Sequence, residues 1–119
     1  MDAVNLNAKL ALFDTHWDPK VVGELNGQHV KVVKLLGAFV WHSHEAEDEL
    51  FLVIRGAFTM EFRDRSVVVS EGEFLIVPRG VAHRPVASRE AHVLLFEPVS
   101  TLNTGDVSGP LTVHSPERL

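Results

Sequence analysis

The spacing of hydrophobic residues changes once along the chain, close to Pro19. Before this point Leu6, Leu10 and Phe13 recur at intervals of four and three residues, which predicts a short amphipathic helix over residues 7–13. The proline disfavours helix in the residue directly before it. Beyond it the pattern is that of strands separated by turns.

Short apolar runs continue from Pro19 to Pro98 and predict about eight strands. Phe58, Met60 and Phe62 alternate with polar residues, which is the period of a half-buried strand. Many short strands bounded by glycine and proline turns indicate an all-β sandwich or barrel, and the lack of alternating strand and helix units argues against Rossmann-type and TIM-type folds. The other predicted strands cover residues 21–22, 29–36 with a continuation over 38–44, 50–54, 67–69, 74–77 and 93–96.

The composition is that of one globular domain over residues 1–119, with 45% hydrophobic and 23% charged residues. There is no stretch of about 18 apolar residues, and the first residues lack the basic and apolar segments of a secretory signal, so we expect a cytoplasmic protein. The net charge of −5 argues against nucleic acid and anionic membranes as partners. No helix-turn-helix pattern is present, so the chain is not expected to bind DNA by itself.

Histidine and cysteine are used very unequally, because the chain has 7 histidines and no cysteine. The absence of cysteine excludes disulfide scaffolds, thiolate zinc sites, iron–sulfur clusters and cysteine nucleophiles. Any metal site must therefore be built from histidine, aspartate and glutamate side chains.

The strongest chemical signal is the pair His42 and His44, which are separated by one residue. In a strand, residues two apart project from the same face, so the two imidazoles are expected side by side. Glu49 stands at the start of the next apolar run and faces the two histidines if that strand pairs back on theirs. His83 follows a proline and glycine turn that returns the chain to the sheet. Together these residues form a nitrogen and oxygen site suited to Fe(II), Mn(II), Ni(II), Cu(II) or Zn(II), with positions left open for water or substrate.

Nine residues fall into two spaced motifs over residues 37–56 and 72–87, with fifteen residues between them. They are Gly37, His42, His44, Glu49, Gly56, Gly72, Pro78, Gly80 and His83. In these motifs the chain resembles a small single-domain cupin, of the group described as cupin-2 barrel, RmlC-like or mannose-6-phosphate isomerase-like proteins. Two positions depart from the family pattern: Gly37 lies one residue closer to the first histidine than usual, and Ala87 replaces a final asparagine.

The resemblance implies a double-stranded β-helix, the jelly-roll barrel of the cupins, preceded here by the short N-terminal helix. It implies a divalent metal inside the mouth of the barrel, held by His42, His44, Glu49 and His83. It also implies a homodimer formed by packing one sheet against its copy. True mannose-6-phosphate isomerases are much longer, so that activity does not carry over from the group label.

The apolar residues near the predicted site are interpreted as core, with a second role as pocket wall left open for Phe51, Phe58, Met60 and Phe62. Phe39 and Trp41 alternate with the histidines along the predicted strand, so they are expected to pack on its other face.

The polar residues near the site are interpreted mainly as surface groups. Arg79 and Arg84 flank His83, and they either bind a carboxylate or phosphate or face solvent. His92 precedes a predicted strand, and it either faces the pocket or makes ordinary hydrogen bonds. Asp48 replaces Glu49 in the site if the register slips. The others are expected in a solvated loop or in ordinary hydrogen bonds: Glu45, Glu47, His16, His29 and His114.

The site permits three functions from different classes. The first is a metal-dependent enzyme, a dioxygenase or an isomerase acting on a small oxygenated substrate, in which Glu49 binds the metal or serves as a catalytic general base. The second is a cupin that binds or senses a small molecule without catalysis. The third is a barrel without metal or without turnover. The complete set of four ligand positions favours the first.

Overall fold

The computed structural model describes the whole chain, residues 1–119, and consists mainly of β-strands. It confirms the predicted all-β class. The helix begins one residue earlier than predicted, after Asn5, whose side chain caps it by accepting a hydrogen bond from the Ala8 N–H (2.9 Å), and it is shorter than predicted because it ends at Leu10. No helix in the chain has the length needed to cross a bilayer. The elements are α1 (Leu6–Leu10), β1 (Lys20–Leu25), β2 (Gln28–Ala38), β3 (Glu49–Arg55), β4 (Ala57–Phe62), β5 (Ser66–Ser70), β6 (Phe74–Val77) and β7 (His83–Pro98).

The long strand β7 connects the two sides of the barrel. It pairs antiparallel with β2 along one edge, while β4 and then β3 pair with successive parts of its other edge. The main sheet has the order β1-β2-β7-β3-β6, and β5 pairs with β4. Register shifts next to Gly37 in β2 and between Val53 and Arg55 in β3 bend the sheet, which closes around a shared core.

The hairpin between β1 and β2 follows the sequence signal directly. Asn26 and Gly27 both have positive φ angles, 51° and 75°. This is the backbone shape that a two-residue type I′ turn requires, and asparagine followed by glycine adopts it readily.

The strand predicted to continue through residues 38–44 ends at Ala38 instead. Gly37 has a φ of 79° and lies at the register shift, so the chain leaves the sheet before the histidines. Phe39 then turns into the core, where its ring stacks on Trp17 with the ring centres 4.8 Å apart. The prediction that Phe39 packs on the face away from the histidines is therefore wrong. Trp41 does lie outside the core cluster, with the Arg63 guanidinium 3.8 Å from its ring centre.

The last strand begins at His83, well before the run at 93–96 that predicts it. Its first half is polar or small and contains Pro85, so no apolar run marks it in the sequence. Burial nevertheless alternates there, with His83, Pro85 and Ala87 facing inward.

The barrel interior contains one hydrophobic cluster of 14 buried residues. Phe58 and Met60 belong to it, which confirms them as core, and Phe62 packs against it while half-buried. Phe51 belongs to the same cluster and also borders a cavity next to Glu49.

Candidate metal centre

Four side chains from three separate parts of the chain meet in the interior: His42, His44, Glu49 and His83, called here the four-residue cluster. His42 and His44 lie in the loop after β2, Glu49 begins β3, and His83 begins β7. One nitrogen or oxygen atom from each lies within 4.8 Å of those of the others. At most 5% of each residue is exposed. The structure therefore brings together all the residues predicted to form a metal site, in an arrangement able to hold an ion.

The backbone reaches this arrangement by a route that differs from the prediction. Glu49 is not placed by pairing of its strand with that of the histidines, because β3 pairs with β6 and β7. His42 forms an isolated antiparallel bridge with His83 instead. The His42 N–H donates to the His83 carbonyl at 3.1 Å, and the His83 N–H donates back at 2.9 Å. These two bonds hold the histidine loop against the start of β7.

Hydrogen bonds to the backbone determine which ring nitrogen carries the proton in two of the histidines. His42 Nδ1 lies 2.9 Å from the Val40 carbonyl, and His83 Nδ1 lies 2.8 Å from the Val81 carbonyl. A carbonyl can only accept, so both Nδ1 atoms are donors and both Nε2 atoms keep a free lone pair in the neutral ring. Burial and the nearby His83 lower the pKa of His42 to about 4, so its ring is neutral at pH 7.

Four buried atoms of the cluster lack a hydrogen-bond partner: His44 Nδ1, and three that lie close together, His44 Nε2, His83 Nε2 and Glu49 Oε1. The two Nε2 atoms lie 2.8 Å and 3.4 Å from the carboxylate oxygen, but these contacts do not have hydrogen-bond geometry. A buried polar atom without a partner costs about 1–3 kcal/mol. A cation would satisfy the three close atoms at once, so the residues present fit a divalent metal ion.

A buried ion pair lies next to the glutamate of the cluster. The Lys31 ammonium is 2.8 Å from Glu97 Oε1, and both residues are 1% exposed. Burial and the charge of Glu49 raise the pKa of Glu97 well above its ordinary value. Burial also acts to raise the pKa of Glu49, but contacts with Glu97, His44 and His83 outweigh it and hold that pKa well below its usual range. The ionised form of Glu49, which a metal requires, is therefore favoured.

Lys31 and Glu97 belong to neither sequence motif. The signal for them is a charged residue within an apolar stretch, with Lys31 between Val30 and Val32 and Glu97 near the end of the last strand. Lys31 and Glu97 come close only because β2 pairs with β7. This register places His29 opposite Glu97, and Lys31 follows His29 two residues later on the same face of β2. That pairing cannot be read from either stretch alone.

A turn over residues 103–106 supports the loop that carries the histidines. Asp106 Oδ1 accepts a hydrogen bond from the Ser43 N–H at 2.8 Å, and the Asp106 N–H donates to the Ser43 carbonyl at 3.0 Å. Gly105 passes so close that a Cβ atom built on it would lie 2.2 Å from the Ser43 carbonyl oxygen, and its φ is 56°. Only glycine fits this position. The turn thus holds Ser43, and with it the histidines on either side.

An apolar cavity adjoins the four-residue cluster. The space not filled by protein atoms is about 390 Å³, with the open mouth included. His42 and Glu49 border it, so a molecule in the cavity lies directly beside the cluster. Phe51 is one of its walls and Phe39 is another. The apolar walls are Trp17, Val33, Leu35, Phe39, Phe51 and Leu95, together with Pro19 and Pro85.

Neither of the two arginines that flank His83 in the sequence borders this cavity. Arg79 is exposed and lies 3.5 Å from Asp48, while Arg84 pairs with Glu61 at 2.7 Å. Their interpretation as surface groups is confirmed. Asp48 is tied to Arg79 in this way, so it does not replace Glu49 in the cluster.

The four other histidines lie outside the cluster. His16 and His92 contact the two oxygens of Glu90, at 2.7 Å and 2.9 Å, so His92 does not face the cavity. His29 is buried 3.2 Å from Glu24, and His114 is exposed. Among the acidic loop residues, Glu45 is exposed and Glu47 comes no closer than 3.9 Å to His44 Nδ1.

Known proteins share this fold. A crystal structure of a cupin-2 domain containing protein from Shewanella frigidimarina is 41% identical, covers 81% of this chain and 94% of that one, and has a TM-score of 0.80. Protein NMB1881 from Neisseria meningitidis is 32% identical, over 82% of this chain and 99% of that one, with a TM-score of 0.75.

The sequence also matches at the level of the family. The uncharacterized protein YdbB of Bacillus subtilis is 33% identical over 64 residues, 53% of this chain. The match spans 57% of YdbB, a little over half of its length. The family model described as the cupin domain, Cupin_2, matches residues 31–97, which is more than half of the chain. By its sequence, its barrel and its close structural relatives, the chain belongs to the cupin-2 family.

Proposed function

We propose that this cupin binds one divalent transition metal ion through His42, His44, Glu49 and His83. We propose further that it acts as a metal-dependent enzyme on a small oxygenated substrate, as a dioxygenase or an isomerase. The observation that carries the proposal is the meeting of buried, unpartnered nitrogen and oxygen atoms beside a cavity. Three imidazoles and one carboxylate suit iron, manganese, nickel, copper or zinc.

The residues around such a site would have different roles. A bound divalent ion supplies Lewis-acid polarisation of a substrate oxygen, and one-electron chemistry if it is redox-active. His42 and His83 keep their Nε2 lone pairs free by donating from Nδ1 to the Val40 and Val81 carbonyls. Ionised Glu49 serves either as a ligand or as the general base that accepts a substrate proton. The apolar walls exclude water from the reacting atoms.

The alternative is a cupin that binds or senses a small molecule without turnover. One observation favours it: the residues bordering the cavity include no titratable side chain besides His42 and Glu49. If both bind the metal, no separate acid or base remains at the cavity wall to move a proton. A redox-active metal needs no such group for oxygen chemistry, so the identity of the metal distinguishes the two functions.

Purified protein is expected to contain close to one divalent metal per chain, because the cluster offers one set of converging donors. Elemental analysis, before and after reconstitution with iron, manganese, nickel, copper and zinc, measures this directly. Metal near zero with all five ions would refute the metal site. Retention of iron or manganese points to oxygen chemistry, whereas zinc points to isomerisation or to binding alone.

We also propose that the protein forms a homodimer through the outer face of β3 and β6. Phe74 and Ile76 on the edge strand β6 are 61% and 52% exposed. They pair with Leu52 and Leu50 of β3, whose side chains point away from the core on the same face. A continuous apolar face of this kind is typical of an interface, and the two-fold symmetry of a homodimer lets one face cover its own copy.

The variant Phe74→Glu is expected to convert the dimer into a monomer, since it places a charge on this apolar face at its most exposed phenylalanine. Light scattering at micromolar concentration reports the mass, and Leu12→Glu, an exposed position after α1, is the matched control. A wild-type protein with the mass of one chain would contradict the dimer.

A further inference from the structure

The cavity beside the four-residue cluster is bounded by apolar side chains over most of its surface. Trp17 and Phe39 stack with an angle of 22° between their rings and form one flat wall. The Phe39 ring also meets the His42 ring edge-on, with the centres 5.3 Å apart, so this wall leads directly to the cluster. The apolar part of a ligand can therefore lie along this wall as far as the donor atoms of the four-residue cluster.

The polar groups that border the cavity are almost all engaged elsewhere. Asn103 donates from Nδ2 to the Leu111 carbonyl at 2.8 Å, and its Oδ1 accepts from the Val113 N–H at 2.8 Å. His42 Nδ1 donates a hydrogen bond to the Val40 carbonyl. What remains for a ligand is the cluster itself, including the buried Glu49 Oε1, which has no partner. A ligand with several hydroxyl groups would therefore bury most of them unsatisfied.

No lysine or arginine borders the cavity. Lys31, the most buried cation of the chain, is paired with Glu97, and Arg84 is paired with Glu61. A phosphate or carboxylate placed among these walls, away from the four-residue cluster, would meet only apolar side chains and no lysine or arginine, which makes its desolvation unfavourable.

We propose that the molecule bound in this cavity is small and uncharged, with an apolar body and a single oxygen-bearing group directed at the four-residue cluster. This inference rests on the proposed function, since the oxygen is the atom that the metal would polarise. The apolar walls and the absence of a lysine or arginine beside them favour such a molecule over sugars, sugar phosphates and amino acids.

Three small probes that differ in charge and in the number of hydroxyl groups test this class: phenol, phenyl phosphate and D-xylose. The variant Trp41→Phe leaves Trp17, a cavity wall, as the only tryptophan, so its fluorescence reports binding. We expect phenol to bind saturably and at least tenfold more tightly than either other probe, to both zinc-loaded and metal-free protein. Equal or tighter binding of phenyl phosphate or D-xylose, or no saturable phenol signal in either form, would overturn the inference.

Two variants that fill the cavity locate the bound probe. Val33→Phe and Leu35→Phe are expected to weaken phenol binding at least tenfold while metal content stays at the wild-type level. Val68→Phe, at an exposed position on β5, is the matched control and should bind phenol normally. Unchanged phenol affinity in a folded cavity-filling variant would contradict the assignment of phenol to this cavity. If neither variant folds, the comparison of the three probes remains the deciding test.

Metal content separates this inference from the proposed function. A protein without metal that still prefers phenol refutes the enzyme but supports the ligand class. A protein with one metal per chain that prefers phenyl phosphate supports the metal site and refutes the ligand class.

Discussion

Replacing His44 by alanine is expected to reduce bound metal from about one ion per chain to near zero. The ring of His44 is buried and its Nε2 lies 2.8 Å from Glu49 Oε1, so the substitution removes one of the converging donor atoms. Loss of an outer hydrogen-bond partner of a metal ligand already costs about 10–100-fold in affinity, and loss of a ligand itself costs more. Elemental analysis and a zinc competition titration measure the two quantities.

The matched control is His114→Ala, which makes the same change at an exposed position and should leave the metal content unaltered. Thermal unfolding gives an independent readout, because a metal that binds only the folded state raises the melting temperature. Zinc should therefore stabilise the wild type and His114→Ala but not His44→Ala. Equal metal content and equal stabilisation in both variants would show that His44 is not a ligand.

Replacing Lys31 by methionine is expected to lower the free energy of unfolding of the metal-free protein by about 3–5 kcal/mol. The methionine keeps the volume of the side chain but leaves Glu97 buried without its counter-charge, next to ionised Glu49. Urea denaturation measures the loss. The loss should be larger at pH 8 than at pH 5, because Glu97 escapes the unpaired charge by taking up a proton and does so more readily at low pH.

Two further variants isolate the cause. Lys34→Met removes a lysine from the same strand, where it is only half-buried, and should cost about 1 kcal/mol or less. The double variant Lys31→Met with Glu97→Leu removes both charges and should recover most of the loss. If Lys31→Met is as stable as Lys34→Met, the buried pair does not contribute in this way.

The strand pattern and the four-residue cluster could be predicted because both appear as characteristic spacings between residues along the chain. Phe58 and Met60 alternate with polar neighbours, and His42, His44, Glu49 and His83 stand at intervals that do not depend on the path of the backbone between them. The prediction of the cluster is correct even though its premise is not. His42 and His44 are not on a strand, and β3 does not pair with β2.

Sequence patterns could not predict the features that depend on the backbone conformation of a single residue or on the pairing of strands far apart in the chain. Phe39 points to the side opposite to the one predicted, because Gly37 takes a positive φ and breaks the alternation of side chains along the strand. Many glycines do not have a positive φ, so the sequence alone does not show this break. The partnership of Lys31 with Glu97 arises only once β2 and β7 pair. The cavity walls likewise come from four regions of the chain, so their common lack of charge is visible only in three dimensions.

The contact between Ser43 and the turn at Gly105 and Asp106 has a consequence for the order of folding. Ser43 and Asp106 are 63 residues apart, whereas the β1–β2 hairpin closes over two residues. Long loops cost more entropy to close, so contacts of this length are expected after the hairpins during folding. The histidine loop therefore gains its support late, once most of the barrel exists. A metal ion held there would slow the unfolding of the protein far more than it would speed its folding.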